Sequence, residues 1–281
     1  RNLDNTKRNT FEFYKSIVNS KKVTKSDSKY KLRLALMEND IEGLFDVYEK
    51  KFKMNILEQL VPKGYINGNK EDLLKLYSYR GKLIQALKIE VTTTKSNRTI
   101  NTCQYCTISE INSFDHILPK EEYSEFVVNP LNLFPSCAIC NSLKGKYWND
   151  NGKRKYLNLY LDKLPKQQYL FVRIDYIKET FVLNFYLENR FQIDKDLFSL
   201  IESHYMELQL LERFSNNADK VITPFQNSIK PYLKDFSIEQ IKDFTIESEK
   251  ENLSVFGFNY WESILKLTLI NDIQFIDSLY K

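Results

Sequence analysis

The chain has 281 residues, 42% hydrophobic and 14% aromatic, with 41 Lys and Arg against 37 Asp and Glu; this excludes a disordered chain and removes any need for a disulfide scaffold. Only 7 Gly and 7 Pro are present, which argues against a many-turned β-sandwich, and no apolar run approaches the ~20 residues that span a bilayer. The charge is uneven: residues 1–100 carry 21 basic and 12 acidic side chains, whereas residues 167–281 carry 12 and 18, an asymmetry that suits a polyanionic partner on the N-terminal side.

In chain order, residues 5–20 predict an amphipathic helix, with Phe11, Tyr14, Ile17 and Val18 near a 3.6 period. Residues 29–38 and 40–60 predict two more, the second ended by Pro62 and Gly64. Asn69 is the expected cap of a helix carrying Leu73, Leu74, Tyr77, Ile84 and Leu87. After a polar stretch, residues 102–146 lose the helical period and gain four cysteines. Gln168–Ile177 and Phe181–Leu187, with Lys178–Thr180 between them, predict a β-hairpin. Asp194 opens a helix with Leu197, Leu200, Ile201, Tyr205, Leu208 and Leu211 on one stripe. Helices follow at 217–234, at 238–250 behind a Ser237 cap, and at 259–280. The expected fold class is α+β and mainly helical, with a basic helical region over 1–98, a small module over 99–150, and a hairpin plus acidic helices over 151–281. The polar N-terminus lacks a secretory apolar core, which reads as a cytoplasmic chain with no membrane partner.

Two lysine-rich stretches stand out: Lys21, Lys22, Lys25, Lys29, Lys31 and Arg33, then Lys144, Lys146, Lys153, Arg154 and Lys155. The first reads equally as a solvated surface. The second sits beside the cysteines. All four cysteines fall in C-x-x-C pairs, Cys103–Cys106 and Cys137–Cys140. Two such knuckles supply four thiolates at tetrahedral corners, which suits a structural zinc ion. A redox pair would not need two copies and lacks its βαβ setting, and two disulfides would need an oxidising compartment.

Between and after the knuckles lie Asp115-His116-Ile117-Leu118-Pro119-Lys120, then Asn132-Leu133, then Cys137-Ala138-Ile139-Cys140-Asn141-Ser142-Leu143-Lys144. This ordered set resembles the HNH endonuclease family of the zinc-supported ββα-metal type. The resemblance covers residues 103–146 and implies a two-stranded hairpin followed by a helix. Strand one would end near Asp115–His116, strand two would hold Asn132–Phe134, and the helix would start around Cys137.

The chemistry suits phosphodiester cleavage. His116 is the natural general base, since an imidazole titrates near working pH. Asp115 and the Asn141 amide offer hard oxygen ligands for Mg²⁺ or Mn²⁺. Asp115 and His116 are neighbours, so a bulge or strand end is needed for both to serve one site. Asn132 resembles the family's middle asparagine, which orients the histidine. Lys144, with Lys146 and Lys120, is expected on the nucleic acid. Glu121, Glu122 and Glu125 read as a solvated face, and His204 as a structural residue. The resemblance implies a nuclease acting on DNA ahead of tRNA or other RNA. The flanking helices make the chain similar to HNH subunits of antiphage defence systems of the Septu type, which would imply an ABC/SMC-like ATPase partner. The alternatives are a stand-alone restriction or homing nuclease and a non-catalytic zinc module that binds nucleic acid.

Overall fold

The computed structural model describes residues 1–177 and 180–280. It divides into two compact units, Asn2–Lys163 and the chain from Leu164 onward, the latter joined by Arg1. Among the described residues no helix is long and apolar enough to cross a membrane.

The first unit begins with helices α1 (Thr10–Ser20) and α2 (Tyr30–Lys53). Asn9 caps α1 by accepting from the Glu12 amide. The two helices expected at 29–38 and 40–60 are one. No Gly or Pro interrupts the join at Asn39–Asp40, and α2 runs until Asn55 turns left-handed at φ 56°, a conformation that asparagine tolerates well. Leu34, Met37, Ile41, Phe45, Tyr48 and Phe52 form its buried stripe. The helix expected behind Asn69 is instead two, α3 (Asn67–Leu74) and α4 (Lys82–Thr92). The chain turns between them, where the Gly81 amide bonds Ser78 O at 2.8 Å.

Next come strands β1 (Ser113–His116) and β2 (Leu133–Ser136) and helix α5 (Ala138–Lys144). The strands are antiparallel, in unbroken register from Ser113 opposite Ser136 to His116 opposite Leu133. Gly145, at φ 51°, ends α5. Two short strands, β3 (Asn149–Asp150) and β4 (Lys153–Arg154), follow. The core is aromatic. Tyr48 meets Phe126 at 4.8 Å between ring centroids, and Phe134 meets Tyr105 at 4.6 Å and Tyr160 at 5.0 Å. Thus α2 packs directly on the segment joining β1 to β2.

The second unit opens with β5 (Leu170–Ile177) and β6 (Thr180–Leu187), an antiparallel pair. Lys178 and Glu179, in the turn expected between them, lie outside the described residues. Among the described residues six α-helices follow: α6 (Lys195–Glu207), α7 (Leu210–Asn217), α8 (Asp219–Ile229), α9 (Ile238–Phe256), α10 (Trp261–Leu269) and α11 (Ile273–Leu279). Asp194 caps α6 and Ser237 caps α9, as their positions in the sequence suggest. The stretch expected as one helix over 259–280 breaks where Asp272 accepts from the Phe275 amide and caps a new start. In the core Phe214 stacks on Trp261 and Phe185 meets both rings edge-on, and His204 is buried on α6.

Candidate active site and metal centre

The cysteines come together from a loop and a helix start. In the first knuckle the Thr107 amide bonds Cys103 O at 2.7 Å, and the Ile108 amide points at Cys106 Sγ from 3.5 Å. In the second, Cys137 is the N-cap of α5, its Sγ accepting from the Cys140 amide at 3.4 Å. All four sulfurs are buried and lie within 4.8 Å of one another, with Cys106 and Cys137 at 3.9 Å. A tetrahedral zinc with bonds of ~2.3 Å needs sulfurs about 3.8 Å apart, so the set can hold a metal ion such as zinc. Among the described residues it is the one such group of three or more Cys, His, Asp or Glu.

His116 ends β1, only 7% exposed. Its Nε2 lies 2.9 Å from Val127 O. A carbonyl can only accept, so Nε2 carries the proton and Nδ1 keeps the lone pair. Burial pushes the imidazole pKa down to about 3; the Val127 bond opposes this, and Lys120 and Lys144 add to it. The ring is therefore neutral near pH 7. The Tyr77 ring meets it edge-on at 4.7 Å.

Asp115, one residue earlier, turns to other partners. Its Oδ1 accepts from Lys144 Nζ at 3.0 Å and its Oδ2 from Tyr105 OH at 2.9 Å. Burial raises its pKa, against the pull of Lys144 and Tyr105. Each carboxylate oxygen keeps a second lone pair, so a metal remains acceptable to it. No bulge interrupts β1; the strand simply ends at His116.

Asn132 is fully buried, and its side-chain hydrogen bonds go elsewhere than the imidazole ring. Its Oδ1 accepts from the Leu118 amide at 2.7 Å and from Tyr48 OH at 3.1 Å, and its Nδ2 donates to Leu118 O and Phe126 O. It fixes the chain just after His116 rather than the histidine itself. Asn141, on α5, donates from Nδ2 to Phe114 O at 3.4 Å, which leaves Oδ1 without a protein donor.

Lys144 is not placed as a phosphate contact. Its Nζ is buried and held by Asp115, His116 O at 2.7 Å and Ile117 O at 3.2 Å. It ties α5 to the end of β1. The basic stretch after it is likewise interrupted, because Arg154 pairs with Asp162 at 3.0 Å. In the N-terminal stretch Arg33 is spent on Asp27 and Asp72. Glu125, expected in solvent, is buried and accepts from the Lys63 amide at 2.7 Å.

A cavity of about 540 Å³ gathers the rest: Asp115, His116 and Asn141, with Lys120, Glu121 and Lys146 on its lining. Tyr77 and Tyr79 complete the wall. Tyr79 carries no sequence signal, and Tyr77 reads only as part of a helical stripe. Tyr105 could have been suspected, as it sits inside the first knuckle.

Two known proteins resemble the chain. Protein ea31 of Escherichia phage lambda is 30% identical over 193 residues, covering 62% of this chain and 62% of that protein. Septu protein PtuB of Bacillus thuringiensis is 39% identical over 67 residues, covering 22% of this chain and 25% of that protein. The chain therefore spans less than two thirds of ea31 and a quarter of PtuB. No family model and no solved structure matches it.

Proposed function

We propose that the chain is a metal-dependent HNH endonuclease that hydrolyses nucleic-acid phosphodiesters, built on a ββα-metal module whose two knuckles hold a structural zinc. The observation that carries this is His116 on the wall of a cavity, its Nε2 occupied by Val127 O, with Asp115 and Asn141 on the same lining. The imidazole is neutral and fixed, with its Nδ1 lone pair able to accept a proton; burial lowers its basicity, and an anionic phosphate bound in the cavity would raise it again.

Asp115 and Asn141 would hold a divalent ion of the Mg²⁺ or Mn²⁺ kind, which when bound supplies charge neutralisation at the phosphate and at the leaving oxygen. The chain's own residues do the rest. His116 Nδ1 takes a proton from a water as that water's oxygen bonds to phosphorus. The P–O3′ bond breaks, and the departing 3′ oxygen takes a proton from solvent, leaving a 5′ phosphate. The Val127 carbonyl holds the ring in the required tautomer and steadies the imidazolium that forms. Lys144 and Asn132 keep the end of β1 and the following turn in place. Lys120 and Lys146, at the rim, attract the backbone.

The similarity to a Septu protein supports a place in antiphage defence, with an ATPase partner controlling the nuclease. The longer similarity, to a phage protein, favours a second setting for the same chemistry: a nuclease carried by a phage and acting without that partner. Purification with and without the neighbouring gene product separates them, since full unregulated cleavage by the chain alone would count against partner control. The chemistry itself is tested with His116→Ala. Cleavage of labelled DNA and RNA with Mg²⁺ or Mn²⁺ should drop at least ~100-fold; unchanged cleavage by the purified variant ends the assignment.

A further inference from the structure

We propose that Tyr79 is a stacking platform for an unpaired base next to the scissile phosphate, and that the substrate is single-stranded or locally unpaired nucleic acid. This rests on the nuclease reading and adds the substrate's form to it.

His116 is only 7% exposed, and the cavity beside it is walled by Tyr77 and Tyr79 on one side and by Asn141 and Lys146 on another chain segment. A phosphate must enter this recess for water to be activated against it. A duplex keeps its bases paired and stacked, so it brings no free base face to the wall beside the phosphate that enters. A single strand leaves such a base unstacked, with a face to place.

Tyr79 is built to receive that base. It lies in the turn between α3 and α4, where its carbonyl accepts from Gln85 Nε2 and the Gly81 amide closes the turn on Ser78 O. Phe114 meets its ring edge-on at 6.3 Å, and Lys88 Nζ lies 5.9 Å from its centroid. Lys88 is itself fixed by the Ile111 carbonyl at 2.9 Å. The ring is thus held from two directions yet still lines the cavity, and a base stacks on such a ring whatever its identity. Tyr77 is committed differently, to His116 and to Lys120, whose Nζ lies 5.7 Å from its ring. One tyrosine braces the base catalyst, and the other faces the substrate.

Binding is measured first, by fluorescence anisotropy of full-length His116→Ala with short fluorescein-labelled strands of DNA and RNA and with the matching duplexes. Single strands of one or both kinds should bind more tightly than duplex. Adding Tyr79→Ala or Tyr79→Leu should weaken single-strand binding about tenfold while leaving duplex binding unchanged, and Tyr79→Phe should restore it. Tyr79→Leu keeps apolar bulk against Phe114, so a shared loss in a variant with unchanged melting belongs to the ring. Equal binding of duplex and single strand, or no effect of Tyr79→Leu, overturns the platform. Cleavage is measured separately: a wild type that binds single strands through Tyr79 but cuts nothing removes the nuclease reading and keeps the platform, while one that cuts duplex as fast as single strand does the reverse.

Discussion

The segment Tyr123–Cys137 and the helices from Lys195 onward bury themselves by opposite means. Every residue from Tyr123 to Cys137 is buried, although most of that stretch is neither helix nor long strand. A buried loop must find partners for its own amides and carbonyls. Here side chains supply them: Asn132 bridges to Leu118 and Phe126, Asn129 accepts from the Leu131 amide, and His116 donates to Val127 O. The helices of the second unit satisfy their backbones internally and bury apolar stripes, with Glu249 as a polar exception bonded to Ser263 and Lys266. The first region therefore depends on a few polar and metal-ligand groups, and the second on many interchangeable apolar ones. Substitutions should separate them sharply.

The largest effect is expected at the cysteines. Structural zinc contributes apparent binding energies of roughly 10–16 kcal/mol in small zinc domains, more than the whole stability of a typical domain. Metal analysis should find one zinc per chain. Cys137→Ser, or a strong chelator, should abolish the thermal transition of the first unit while a transition from the helices beyond Lys195 persists. A chain purified free of metal that keeps both transitions would remove zinc from the account.

Next comes Lys144. Removing one partner of a buried ion pair costs about 3–5 kcal/mol, because the other charge stays buried and alone. Lys144→Ala should lower the denaturation midpoint accordingly, whereas the exposed Lys146→Ala should move stability by less than ~0.5 kcal/mol and weaken nucleic-acid binding in a salt-dependent way. If the two variants exchange these behaviours, Lys144 reaches substrate after all.

Asn132→Ala should follow, at about 1–3 kcal/mol for each of the Leu118 groups it strands. The comparison with His116→Ala is informative: that variant strands one carbonyl and should lose far more activity than stability. Equal loss of stability and activity in both would make the histidine a structural residue.

These residues also show what a sequence can and cannot reveal. The end of β1 near His116 and the start of α5 at Cys137 were expected only through the resemblance to the HNH family, whereas the cysteine spacing was readable as a local rule of knuckle geometry. The caps at Asp194 and Ser237 are of the same kind. What could not be read is where long side chains reach. Lys144 and Asp115 pair although they lie 29 positions apart, and nothing in either's neighbours says that they meet. Tyr77 reads as a helix-stripe aromatic, and Tyr79 as no particular feature, until the turn before Gly81 places both on the cavity. The single long α2 was missed for a simpler reason: a polar Asn39–Asp40 pair resembles a break, but propensity costs of this size yield to a continuous buried stripe.

The smallest effect tests the second region. Ser237 and Gln240 form a reciprocal capping box at the start of α9, with Ser237 Oγ accepting from the Gln240 amide at 3.3 Å and Gln240 Oε1 from the Ser237 amide at 2.9 Å. Both side chains are exposed, so truncation opens no cavity and removes only the cap. Ser237→Ala should therefore cost about 1 kcal/mol, and calorimetry should show it only in the second unit's transition. Ser237→Asp should recover most of the loss, since a carboxylate accepts the same bond and suits the positive end of the helix. A drop several times larger, or one that appears in the first unit's transition, would mean that α9 holds more than its own helix, and the contrast between a pinned region and a greasy one would have to be redrawn.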